Sequence, residues 1–232
     1  MPATLESISP AHRQTIADLL GLESQDAPFR RARSFPASPA DLDRRLDPHQ
    51  PPSPVLAYSL RIYQLAKDTF ESASTLREAA IPTSRWYHQI HSREGGEALG
   101  YARTRWEGDQ WVLEATGRTA PADDRADSTE LLVKRWLDEV ADDVEGDRWR
   151  SYRISVLEIP SVNVLALWFK HEASGGESDR VVVVGRPRFG RYLDEFPTRV
   201  DAPSPAGGFL SQLRDVAEDA PMTGIVLPTA AA

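Results

Sequence analysis

Residues 98–118 read Ala98-Leu99-Gly100-Tyr101-Ala102-Arg103-Thr104-Arg105-Trp106-Glu107-Gly108-Asp109-Gln110-Trp111-Val112-Leu113-Glu114-Ala115-Thr116-Gly117-Arg118, and the organisation of the chain turns on them. Two alternating runs flank Glu107-Gly108-Asp109-Gln110, so the segment is predicted to be a β-hairpin. Glycine stands where a type II′ turn needs positive φ. The expected register sets Trp106 against Trp111, Thr104 against Leu113 and Ala102 against Ala115. On the other face Arg103 meets Glu114, opposite charges across the ladder.

A second ribbon is expected downstream, with strands 152–159 and 162–170 joined around Pro160-Ser161. A two-residue loop would set Tyr152 against Phe169, Ile154 against Leu167 and Arg153 against Trp168. Both faces are largely apolar, the mark of central strands covered on two sides. A further strand, Arg180 to Val184, comes after Ser174-Gly175-Gly176-Glu177, and a weaker one, Ser84 to His91, precedes the first hairpin. Between the ribbons lies the best helical pattern in the chain, 128–144. Leu132, Val133, Trp136, Leu137 and Val140 form one stripe, and the charged residues form the other.

From residue 84 the order is then β-β-β-α-β-β-β-α, without the βαβα alternation of a doubly wound sheet. The expectation is an α+β fold: an antiparallel sheet of about five to six strands packed against one amphipathic helix, with a mostly helical, proline-rich N-terminal arm. The expected division is an arm over 1–52 and a single domain over 53–232. Half of the 18 prolines fall in the first 54 residues, whereas all six tryptophans lie between Trp86 and Trp168. Four Ser-Pro pairs, at Ser9, Ser38, Ser53 and Ser204, each precede helical spacing and read as helix starts. They predict helices at 10–20, 39–46, 54–70 and 205–218. The third is apolar around most of its circumference.

Composition narrows the function. There is no cysteine, which removes disulfides, thiolate metal sites and a thiol nucleophile, and fits a reducing cytoplasm. No secretory signal and no membrane span is read from the sequence. The net charge of −8 argues against nucleic acid as a partner. The scarcity of lysine (Lys67, Lys134 and Lys170 only) suggests a bacterial genome rich in G and C.

No catalytic residue, metal site or cofactor is read from the sequence. His88 and His91 are the only close histidine pair, and on a strand i and i+3 point to opposite faces. No Gly-x-Ser-x-Gly elbow is present. Two arginine-rich stretches remain. Gly185-Arg186-Pro187-Arg188-Phe189-Gly190-Arg191 leaves a strand end, where Arg186, Arg188 and Arg191 could hold an anion or an acidic partner. In Phe29-Arg30-Arg31-Ala32-Arg33-Ser34-Phe35, Arg30, Arg31 and Arg33 are flanked by aromatics, a partner-binding arm or a loop folded onto the protein's own acidic surface. The expectation is a non-enzymatic protein-interaction or accessory protein whose partner is another protein or a second copy. The alternative is an enzyme, or a domain for a small anionic ligand, with a site assembled from scattered residues.

Overall fold

The computed structural model describes residues 4–5, 8–24, 54–93, 98–118, 129–142, 151–162, 164–185 and 203–219. In chain order these are β1 (Thr4–Leu5), α1 (Pro10–Leu20), β2 (Glu23–Ser24), β3 (Pro54–Leu65), α2 (Lys67–Ser72), α3 (Leu76–Ala79), β4 (Ala80–Ser92), β5 (Ala98–Glu107) and β6 (Gln110–Arg118). Next come α4 (Thr129–Asp142), β7 (Tyr152–Ile159), a 3₁₀ turn at Pro160–Val162, β8 (Val164–His171), β9 (Arg180–Gly185), β10 (Ser204–Pro205) and α5 (Ala206–Asp219).

The strands form one mixed, ten-stranded sheet in the order β10-β9-β8-β7-β3-β4-β5-β6, with β1 on β7 and β2 on β3. This overturns the antiparallel sheet of five to six strands with a mostly helical arm. The difference originates in 54–70. Its first twelve residues are strand β3, and only Lys67–Ser72 is helical. Apolar residues on every side of a segment are what a strand covered on both faces requires, so the pattern suited either element. Pro54 is the first residue of the strand, where its missing N–H is tolerated. With β3 in the sheet, β7 lies beside it in parallel, Ile62 against Val156 and Gln64 against Glu158.

Burial sorts the two faces. Leu60, Ile62, Ile154, Val156, Leu167, Phe169, Val182 and Val184 pack with Leu132, Val133, Trp136, Leu137 and Val140 of α4. Leu65, Leu157, Ile159, Ala166, Trp168, Val181 and Val183 pack with Phe70, Leu76, Phe209, Leu210 and Leu213 from α2, α3 and α5. Successive residues of β7, β8 and β9 therefore enter opposite cores, as a period of two demands.

The N-terminal segment enters the same sheet. β1 and β2 run parallel to their neighbours, Leu5 against Ile154 and Ser24 against Leu56. Between them α1 starts at an N-cap Ser9, whose hydroxyl accepts the His12 N–H at 3.2 Å, and stops at Gly21 in the left-handed region. Ile16 and Ala17 are fully buried against Leu56 and Trp111. The helix expected at 39–46 lies outside the described residues.

Both ribbons correct the register. The β5–β6 turn has positive φ at both Gly108 and Asp109, hence type I′, since aspartate tolerates the left-handed region that the strand twist favours. Trp106 faces Trp111 and Thr104 faces Leu113, but a bulge then sets Arg103 against Ala115 and Ala102 against Thr116. Glu114 therefore leaves Arg103 and joins Arg85 and Arg105. In β7–β8 the 3₁₀ turn lengthens the connection and slides the pairing by two residues, so Ile154 meets Phe169 and Trp168 meets Ser155. No helix among the described residues is long and apolar enough to cross a membrane.

Candidate functional site

Arg186, Arg188 and Arg191 lie outside the described residues, as do Arg30, Arg31 and Arg33. The strand that leads to the first group is present as β9, which ends at Gly185.

The constellation that most resembles a catalytic one surrounds His88. Ser59 on β3, His88 on β4 and Thr104 on β5 lie side by side, with Ser59 Oγ 2.9 Å from His88 Nδ1 and Thr104 Oγ1 2.8 Å from His88 Nε2. A neutral imidazole has one N–H, so it donates to one hydroxyl and accepts from the other. The chemistry needed of a base is nonetheless withheld. His88 is fully buried, and desolvation, with the Arg13 guanidinium as a second cause, lowers its pKa to about 3. Neither ring nitrogen meets a carboxylate that would stabilise an imidazolium. The trio is a neutral polar staple across three strands.

His91 enters the α4 face. Its Nε2 lies 2.9 Å from Gln89 Oε1, its ring meets Tyr58 edge-on, and burial, with Lys134 secondary, lowers its pKa to about 4. Tyr58 packs against the α4 core, whereas Arg13 reaches the sheet from α1, so the two histidines serve opposite faces, as their spacing implies. Among the described residues no group of three or more His, Asp or Glu is placed to hold a metal ion.

Two charge networks are also consumed internally. Asp179, fully buried, accepts from Arg77 Nε at 3.0 Å and Nη2 at 2.7 Å, from Trp168 Nε1 at 3.0 Å and from the His171 N–H at 2.9 Å. Four donors on one carboxylate lock α3 to the β8–β9 connection. Glu158 pairs with Arg85 at 2.5 Å and Arg103 at 2.8 Å, and Glu114 pairs with Arg85 at 2.7 Å. A shallow depression along α4 is lined by Leu131, Lys134, Arg135, Asp138 and Glu139. All five come from one helix, so no opposing wall converges on it.

The open site is the corner where α1 crosses the β4–β6 end of the sheet. Trp106 and Trp111 meet at 5.1 Å, Trp86 and Trp111 at 6.4 Å, and the His12 ring lies 5.0 Å from Trp106. Trp111 is buried at 9% exposure, whereas Trp86 and Trp106 are half-buried and His12 is exposed. Leu113, two residues along β6 from Trp111, is 41% exposed. The rings are close-packed, so they form a shelf rather than a cage. Arg13 anchors α1 over it by donating from Nη2 to the carbonyls of Leu56 at 2.7 Å and Ala57 at 2.6 Å. The facing of Trp106 and Trp111 is legible from the hairpin pattern. His12 belongs to no motif and is missed by motif reading, although His12, Ile16 and Leu20 lie on one stripe of α1, a signal that places it on the inner side.

Comparison with known proteins adds no relative: no family model, no curated protein and no solved structure matches the chain.

Proposed function

We propose that this chain is a non-enzymatic interaction or accessory module of the bacterial cytoplasm that works by presenting a surface to another protein. The observation that carries the reading is the shelf: two half-buried tryptophans and an exposed histidine in ring contact around Trp111, with the exposed Leu113 two residues further along β6. Tryptophan is the residue type most enriched where binding energy concentrates, because it offers a large apolar face at a low entropic cost. The disarmed surroundings of His88 support the same reading, since the best-placed base cannot accept a proton near neutral pH. A cysteine-free chain supports the cytoplasmic setting.

The test uses the purified full chain and its Leu113→Asp variant as baits in extract of the native host, with the solution mass of each measured alongside. A partner retained by the parent and lost from the variant, then reconstituted from purified components, is the expected result. Identical capture by both baits, or a monomer that retains nothing, overturns the reading.

A further inference from the structure

The sheet is split along part of its length. β8 pairs with β7 from Tyr152 to Ile159 and β4 runs along β3 from Pro54 to Leu65, so each of these central strands has one edge left. Among the described residues β3 and β7 share that edge only where Ile62–Gln64 meets Val156–Glu158. Nearer the start of both strands it passes to the N-terminal segment. β1 lies on β7 at Arg153 and Ile154, and β2 lies on β3 at Val55 and Leu56. β1, α1 and β2 thus bridge the split, with one strand on each side of it and the helix packed on the face above.

This bridge is lightly anchored. α1 buries Ile16 and Ala17 against Leu56 and Trp111, whereas α4 sets Leu132, Val133, Trp136, Leu137 and Val140 into the opposite face. The strands β1 and β2 are two residues long. Arg13 adds a tie through the carbonyls of Leu56 and Ala57. Few buried apolar contacts mark a unit that opens ahead of global unfolding. On the other face, Leu60 and Ile62 of β3 share the α4 core with Ile154 and Val156 of β7, so the sheet stays joined when the bridge leaves.

We infer that β1, α1 and β2 form a clasp, which lifts from the split as one unit while both large cores remain packed. Opening frees the edge of β3 at Val55 and Leu56 and that of β7 at Arg153 and Ile154. It also removes Ile16 and Ala17 from Trp111, so the clasp governs how much of the tryptophan shelf is bared. The device stands whether or not the shelf meets a partner.

Hydrogen exchange of the full chain, resolved by residue with NMR in urea below the unfolding transition, tests the clasp. Amides of α1, of β2 and of the β7 edge facing β1 are expected to exchange through one shared opening, at least tenfold more often than those of β5 and β8. Arg13→Met should raise that opening about tenfold and leave β8 unaltered. Exchange of α1 only in step with β8 overturns the inference, because the segment then comes apart with the whole fold. Exchange of α1 with the β7 edge still protected overturns it too, as fraying of one helix. So does a variant whose exchange is unchanged or rises alike everywhere. If Arg13→Met does not fold, the pattern of the parent chain alone decides.

Discussion

The ring of Tyr101 lies across Gly117 on the neighbouring strand, so close that a Cβ at position 117 would stand 2.3 Å from Tyr101 Cε1. The ring cannot simply swing away, because it stacks on Tyr87 at 5.7 Å with the planes only 10° apart. Glycine here provides close approach, not an unusual φ. Gly117→Ala is expected to destabilise the chain by about 1–3 kcal/mol in urea denaturation. Tyr101→Ala in the same chain should recover part of that loss, a non-additivity that marks the clash as the cause.

Removing the carboxylate of Asp179 takes the acceptor from four donors, of which Trp168 Nε1 is buried and those of Arg77 and His171 are partly so. Asp179→Ala is expected to cost about 1–3 kcal/mol, because it leaves Trp168 Nε1 buried without an acceptor while the partly exposed Arg77 can turn to water. Arg77→Ala leaves the fully buried charge of Asp179 without its cation and should cost more, about 3–5 kcal/mol. The double variant is expected to lose less than the two single losses together, and equilibrium unfolding of the three chains checks it.

The histidines set an acid limit. The folded-state pKa values of His88 and His91, about 3 and about 4, lie below the ordinary value of 6.5. The unfolded chain therefore binds protons that the folded chain refuses. Their contribution to stability is complete above pH 6.5 and declines as pH falls, towards about 4 for His91 and about 3 for His88. Each contributes a slope of about 1.4 kcal/mol per pH unit inside its window. Urea midpoints between pH 7 and pH 5 should fall steeply, and His91→Gln should remove about half of the histidine slope.

Arg13 bolts α1 to β3 through two backbone carbonyls. Arg13→Met keeps the apolar stem and removes the donors, at a cost of about 1–3 kcal/mol for the carbonyls that lose them. Loosened packing of α1 over Trp86 and Trp111 should appear as greater quenching of tryptophan fluorescence by acrylamide. Unchanged quenching would mean that Ile16 and Ala17 alone hold the helix.

Parts of the fold were legible because their causes are local. The turn at Gly108-Asp109 depends on which residues tolerate positive φ, and Ser9-Pro10 caps α1 with its own hydroxyl. The bulge that moved Glu114 from Arg103 to Arg85 had no local signal, since it answers to charges on β4 and β7. The site was less legible still. The sheet brings Trp86, Trp106 and Trp111 together, but His12 comes from a helix far earlier in the chain, and only the packing of α1 carries it to them.

One dipeptide shows where the division falls. Ser9-Pro10 opens a helix, Pro54 after Ser53 opens the strand β3 at the centre of the sheet, and Ser204-Pro205 is itself a short strand on β9. Proline restricts φ to a value that helix and extended chain share, so the amino acids alone settle a boundary there but leave the type of the adjoining element open. The sequence by itself determined the place of the Gly108-Asp109 turn, the helix start at Ser9 and the alternation of the strands, because each involves neighbours a few residues apart. Tertiary structure decided that 54–65 is extended, that β7 joins it in parallel and that His88 stays neutral. Those outcomes depend on strands, helices and an arginine brought together only when both faces of the sheet are covered.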